Sequence, residues 1–138
     1  MITYRQAKFD DVEKIHKLLN DYAKAGLMLP RSRNAIYENL RDYIVAMQGS
    51  HLVGCGALHF VWDRLAEIRS LAVDPELKCT GIGRNIVELL EKEGIERGVK
   101  MFFTLTYQPG FFAKCNYIET AKEKLPQKVW KECVYCPQ

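Results

Sequence analysis

No run of apolar residues in this chain approaches the roughly 20 needed to cross a bilayer. The opening residues, MITYRQAKFDDVEKIH, contain no apolar signal-peptide core. Charge of one sign is also scarce: 20 Lys and Arg against 17 Asp and Glu leave a net +3. That excess is too small for a nucleic-acid binder, which needs a basic stripe and a binding motif. It leaves room for a mildly basic patch around an anionic small ligand. No repeat, linker or low-complexity stretch is visible. The five cysteines are an odd number, so at least one thiol is unpaired, which suits a reducing compartment. Together these absences lead us to expect a cytoplasmic protein without a nucleic-acid or membrane partner. No metal is expected either. Cys133 and Cys136 form a lone Cys-x-x-Cys, whereas a zinc site takes about four ligands. Cys55, Cys79, Cys115, His16, His51 and His59 are scattered along the chain. A metal shared with another subunit, or a redox pair, stays open for Cys133 and Cys136.

The chain does have enough apolar content for a core. Of 138 residues, 48% are hydrophobic and 27% charged, which fits one domain over residues 1–138. Residues 1–7 alternate as a short strand. Asp10 and Glu13 resemble a capping box before a helix whose apolar face is Val12, Ile15, Leu18, Leu19 and Tyr22. Ser32 is a plausible N-cap for a second, short helix. Residues 43–48, a turn at QGSH, and residues 51–62 read as a hairpin, and residues 65–73 as the next strand. Simple alternation along that strand puts Glu67, Arg69, Leu71 and Val73 on one face. A glycine-rich bend, a helix over about 83–98, a strand over 101–106, and a short helix at QPGFFAKCN follow. The tail LPQKVWKECVYCPQ reads as a last strand. A meander plus one β-α-β crossover gives an α/β (α+β) fold, a mixed sheet with helices on both faces.

The stretch DPELKCTGIGRN carries the first functional signal. A strand, a Gly-x-Gly bend at Gly81 and Gly83, and then a helix start make an anion site. The first helical turn has unpaired N–H groups and the positive end of the dipole. Glycines let the backbone approach a phosphate closely. No Gly-Lys-Ser/Thr follows, so this is not a Walker loop, and the third glycine of the dinucleotide fingerprint is missing. Taken alone, the bend also reads as a plain turn.

Its setting adds more. IRSLAVDPELKCTGIGRNIVELLEKEGIERG resembles motif A of the GNAT acetyltransferase superfamily. That motif is an apolar triplet and Asp-Pro, then Arg/Gln-x-x-Gly-x-Gly/Ala opening a helix. Here Leu71, Ala72, Val73, Asp74 and Pro75 supply the first part, and Lys78, Gly81 and Gly83 the second. The element order fits along essentially the full chain. The resemblance implies a mostly antiparallel sheet of six to seven strands and an acetyl-CoA site. Backbone amides of Cys79, Thr80, Gly81, Ile82, Gly83 and Arg84 would cradle the pyrophosphate. Leu71 and Val73 would pair main chain to main chain with the pantetheine amides. Lys78 and Cys79 depart from the usual Arg or Gln and the frequent glycine. Cys79 reads as a tolerated small residue or as a reactive thiol beside a basic loop.

Acetyl transfer needs an amine freed of its proton, and a carboxylate takes it directly or through water. The resemblance implies Glu67 as that general base. The alternative for Glu67 is a same-face ion pair with Arg69. A strand N–H near Leu71 would polarise the thioester carbonyl. Where many members carry a tyrosine as general acid, this chain has Phe112, which has no proton to give. Tyr107, Tyr117 and Cys115 are neighbouring candidates that also read as packing residues.

LMLPRSRNAIYENL, EIRSLAV, LTYQPGFF and KLPQKVW further resemble the acetyltransferase domain of N-acetylglutamate synthases. That resemblance implies Arg31 and Arg33 as binders of a substrate carboxylate, with Arg69 and Lys128 as further positive charge. Arginine forks suit a dicarboxylate amino acid. The acceptor it implies is L-glutamate, in arginine biosynthesis. Control by arginine through a kinase-like domain is not expected within this length, and a homodimer follows from family habit alone. Two other readings remain at this stage. One is acetylation of another small amine, a protein N-terminus or a lysine. The other is a CoA-binding regulatory module without turnover.

Overall fold

The computed structural model describes residues 1–119. Five strands form one sheet in the order β1 (Ile2–Gln6), β2 (Tyr43–Gln48), β3 (His51–Trp62), β4 (Leu65–Val73) and β5 (Met101–Thr104). The first four pair antiparallel, and β5 runs parallel to β4. The helices are α1 (Val12–Lys24), α2 (Arg33–Glu38), α3 (Ile82–Glu96) and α4 (Pro109–Lys114). The sheet is therefore mixed and mostly antiparallel, as expected. Among the described residues it has five strands, not six to seven. The tail strand, Lys128 and the Cys133/Cys136 pair lie outside the described residues.

Two cores explain the layering. On one face, Ile82, Ile86, Val87 and Leu90 of α3 pack on Ile44, Leu58, Ala66 and Ile68. On the other, Val12, Ile15, Leu19 and Tyr22 of α1 and Ile36 of α2 pack on Tyr43, Val45, Cys55 and Ala57. The 3.6-residue spacing of the helical sets and the period-2 spacing of the strands make these faces. Strand β2 is covered on both sides, so Tyr43 to Met47 are all buried. Gly54 and Gly56 let α3 come close: a Cβ on Gly56 would lie 2.7 Å from Cγ2 of Ile86.

The start of α1 differs from the expected Asp10–Glu13 box. A 3-10 turn, Phe9–Asp11, precedes the helix, and Asp11 takes the capping role. Its carboxylate accepts from the Lys8 N–H at 2.7 Å and from the Arg5 guanidinium at 2.7 and 3.0 Å. Ser32 caps α2 as expected, accepting from the Ala35 N–H at 3.1 Å.

The larger correction concerns the faces of β4. Cys55 pairs with Ala72, but Ala57 pairs with Arg69, so Ser70 and Leu71 stand opposite Gly56 alone. This is a β-bulge, and Ser70 takes φ +58° to make it. One extra residue reverses the alternation beyond it. Ala66 and Ile68 face α3, and so do Leu71 and Val73. Glu67 and Arg69 therefore face the α1–α2 side, opposite to the side chains of Leu71 and Val73.

Candidate active site

Strands β4 and β5 part company at Ile68. Their last register pair is Ile68 with Thr104, and the Thr104 hydroxyl donates to the Ile68 carbonyl at 2.8 Å. Strand β5 ends there, while β4 runs on to Val73. The gap opens a cavity of about 450 Å³. Its walls are the 27–31 loop, residues 67–71 of β4, residues 104–108 and Phe112.

The polar groups of the cavity converge from β4 and the loop. Glu67 is 7% exposed, an unusual burial for a carboxylate. Arg69 donates to its Oε1 twice, from Nε at 3.1 Å and from the terminal nitrogen at 2.8 Å. The ion pair weighed as the alternative for Glu67 is therefore present, inside the cavity and not on a solvated face. Arg31 lines the same cavity from the loop. Tyr43 lies beneath, and its hydroxyl donates to the Ser70 hydroxyl at 3.2 Å. Burial pushes the Tyr43 phenol up, while the Ser70 bond and the nearby charges of Arg31 and Arg69 pull the other way. The carbonyl of Ser70 also accepts from the Cys55 thiol at 3.4 Å. The bulge is thus held from β2 and β3, which fixes the main chain at Leu71.

Arg33 is not in this cavity. Its Nε donates to both oxygens of Glu13, each at 2.9 Å, on the exposed surface between α1 and α2. One residue inside α2, it projects from the helix away from the sheet, whereas Arg31 precedes the Ser32 cap and stays in the loop.

Beyond Val73 the chain turns sharply. The Asp74 carboxylate accepts from the Glu76 N–H at 3.0 Å and opens a 3-10 turn, Pro75–Leu77. Cys79 has φ +65° and is exposed, and the Thr80 hydroxyl donates to the Leu77 carbonyl. Gly81 has φ +92°, where a side chain is strained, and is the N-cap of α3. The first backbone bond of the helix runs from the Asn85 N–H to the Gly81 carbonyl at 2.9 Å. The N–H groups of Ile82, Gly83 and Arg84 consequently have no acceptor within the helix. A Cβ on Gly83 would meet the Phe111 ring at 3.2 Å, so this glycine admits α4 against α3. The Arg84 side chain leans along the helix toward Glu88, 3.6 Å away. Open amides, a left-handed glycine and an open strand edge are what a phosphate with an amide-bearing arm needs.

The acid candidates separate. Phe112 is 6% exposed and packs edge-on against Phe111 and Tyr117. The Tyr117 hydroxyl donates to Glu91 at 2.7 Å, and burial together with that carboxylate pushes its phenol well above the ordinary range. Burial also raises the Cys115 thiol, which faces Arg84, Glu88 and Glu91 of α3. Tyr107 lines the cavity. Among the described residues no group of His, Cys, Asp and Glu is arranged to hold a metal ion. Among them, too, no helix is long and apolar enough to cross a membrane.

The profile of the acetyltransferase (GNAT) family matches residues 11–117. The chain belongs to this family. It is an acyl-CoA-dependent N-acetyltransferase, and acetyl-CoA is its cosubstrate. It is 43% identical over 134 residues to an uncharacterized N-acetyltransferase of Chlorobaculum tepidum, covering 97% of this chain and 86% of that one. It is 34% identical to an amino-acid acetyltransferase of Mycobacterium tuberculosis, covering 93% of this chain and 75% of that protein. Among solved structures, N-acetylglutamate synthase of Neisseria gonorrhoeae, complexed with coenzyme A and N-acetyl-glutamate, superposes with a TM-score of 0.87 at 25% identity. That match covers 96% of this chain and 32% of the synthase.

Tyr22, Tyr43 and Ser70 went unmarked in the sequence. Tyr22 and Tyr43 fall on apolar stripes and read as core.

Proposed function

We propose that this GNAT enzyme acetylates the α-amine of an amino acid, and that the amino acid is L-glutamate. The observation that carries the reading is the placement of Arg31 and Arg69 around the cavity that holds the Glu67 carboxylate. A dicarboxylate acceptor needs cationic forks, and a polyamine would need acids in their place. The relatives named amino-acid acetyltransferase and the synthase solved with N-acetyl-glutamate support the same acceptor.

Bound acetyl-CoA supplies an activated thioester. The amides of residues 79–84 hold its pyrophosphate, with Lys78 and Arg84 adding positive charge. The open edge of β4 at Leu71 and Val73 holds the pantetheine arm, and Ala72 stays in the ladder with Cys55. The Leu71 N–H, beside the bulge, is the donor for the acyl oxygen. Glu67 accepts the ammonium proton, directly or through water. The Arg69 bonds at 3.1 and 2.8 Å go to Oε1, and we assign Oε2 to that task. Phe112 shapes the apolar wall and gives no proton. A thiol with an ordinary pKa near ~8.5 leaves without a dedicated acid, taking its proton from water.

The test is thiol release from acetyl-CoA across the twenty amino acids and spermidine, with products identified by mass. Release with glutamate, giving N-acetylglutamate, is the expected result. Release with a different amine alone keeps the enzyme class and overturns the acceptor.

A further inference from the structure

On the open edge of β4, Val73 already has a partner. The Tyr22 hydroxyl donates to the Val73 carbonyl at 2.8 Å and accepts from the Val73 N–H at 2.9 Å. Neither group faces β3. Val73 stands opposite Gly54, and the flanking ladder bond runs from the Asp74 N–H to the Val53 carbonyl at 2.8 Å. In an antiparallel ladder that turns the pair on Val73 to the other side. This is the side that β5 leaves uncovered, and the one on which an extended ligand adds like a strand. A main-chain N–H has one proton to donate. The N–H of Val73 therefore serves Tyr22 or a ligand, not both.

Tyr22 also reaches the two neighbouring parts of the site. Lys78 Nζ lies 5.6 Å from its ring centroid, within cation–π range. Its own carbonyl accepts from the Leu27 N–H at 2.9 Å. Leu27 begins the loop that ends at Arg31 and forms one wall of the cavity. One residue thus joins the strand edge, the glycine loop and the acceptor wall.

We propose that Tyr22 is an internal stand-in for the cofactor. Its hydroxyl holds the main-chain pair of Val73 in the free protein and yields it when the amides of the pantetheine arm take that edge. The inference rests on the cofactor site proposed above. In the free protein the hydroxyl keeps two buried main-chain groups satisfied. On binding, the pair passes to the ligand, and the release of Tyr22 is felt at Lys78 and at Leu27. Tyr22 is a positioning residue, and its hydroxyl lowers cofactor affinity while leaving the chemistry alone.

Tyr22→Phe keeps the ring and removes the hydroxyl. Calorimetry with CoA should give a Kd about three- to tenfold lower in the variant, the range expected for hydrogen bonds that binding no longer has to break. An equal or weaker affinity overturns the exchange while leaving the cofactor site standing. If neither protein binds CoA, the cofactor site falls and the exchange with it. Wild-type protein carrying ring-fluorinated tyrosine gives a second readout. The fluorine resonance of Tyr22, identified by its loss in Tyr22→Phe, should move on saturation with CoA. A resonance that stays in place while CoA binds means the hydroxyl has not left Val73, and the proposal fails.

Discussion

At the scale of single residues, neighbouring side chains of the same type have separable roles. Arg31 and Arg33 are two positions apart, yet one lines the cavity and the other is clasped by Glu13 on the surface. Arg31→Ala should raise the KM for glutamate by about 10- to 100-fold, the loss expected for a charged hydrogen-bonding pair, with the KM for acetyl-CoA unchanged. Arg33→Ala should leave both constants near wild type. A matching rise in the two variants in steady-state assays would remove Arg31 from the acceptor site. Glu67→Gln keeps the size of the side chain and its contact with Arg69 but takes away the proton acceptor. It should lower kcat by about 10²-fold or more at neutral pH, with partial recovery as the amine loses its proton unaided at high pH. A kcat–pH profile that overlays the wild type would rule out Glu67 as the base. Burial pushes the Cys55 thiol up to about 12, so it serves as an apolar prop for the bulge and not as a nucleophile.

At the scale of elements, the strands and helices were largely legible, and the phase of β4 beyond its bulge was not. Runs of apolar residues place β2, β3 and β4 where they are found, because each is buried over most of its length. The bulge at Ser70 leaves no such mark. Serine is not a residue that demands φ > 0, so the sequence offers no reason to break the alternation there. The consequence is that Glu67 and the side chain of Leu71 face opposite sides of the sheet while both residues line the cavity. The 3-10 turn that leads into α1 shows a second limit. Asp10, Asp11 and Glu13 all suit a helix start, and only the reach of Arg5 from β1 selects Asp11. That choice has a pH signature. The Arg5 hydrogen bond holds the Asp11 carboxyl below the usual carboxylate range, against the opposing effect of burial. A depressed folded-state value means that the stabilisation is complete above the unfolded value near ~4 and is lost as pH falls through the folded one. Arg5 is partly exposed and solvent screens the pair, so Asp11→Asn should lower stability at pH 7 by about 1–2 kcal/mol. The difference between variant and wild type should start to shrink below pH ~4 and close as pH falls through the lower folded-state value, where both side chains are neutral. Urea unfolding at pH 7 and pH 3 checks this, and a constant difference would mean that Asp11 acts through packing alone.

At the scale of the whole molecule, the site is a product of topology. A meander delivers β4 as the fourth of five strands, and the crossover through α3 sets β5 parallel beside it at the edge. The pair diverges after Ile68, and the glycine loop lies at the far end of the opened edge. The glycines and the apolar triplet of this arrangement were readable because backbone approach requires particular residue types. The cavity was not, because it depends on where β5 stops. Binding at this junction should stabilise the fold as a unit. A ligand at about 100 times its Kd adds about 2.7 kcal/mol, which is a rise in Tm of about 9 °C for a domain of this size. Gly81→Val should abolish that rise. Its φ of +92° is closed to valine, although open space surrounds the site of the added Cβ. The damage should therefore be confined to the loop and its amides, with the Tm of the free protein lowered by only a few degrees. Thermal melts of both proteins with and without CoA measure the two effects together. A variant that keeps the full CoA shift would move the phosphate site away from the start of α3. A variant that fails to fold would show that the Gly81 turn holds β4 to α3, a structural role that the open surroundings of Gly81 argue against.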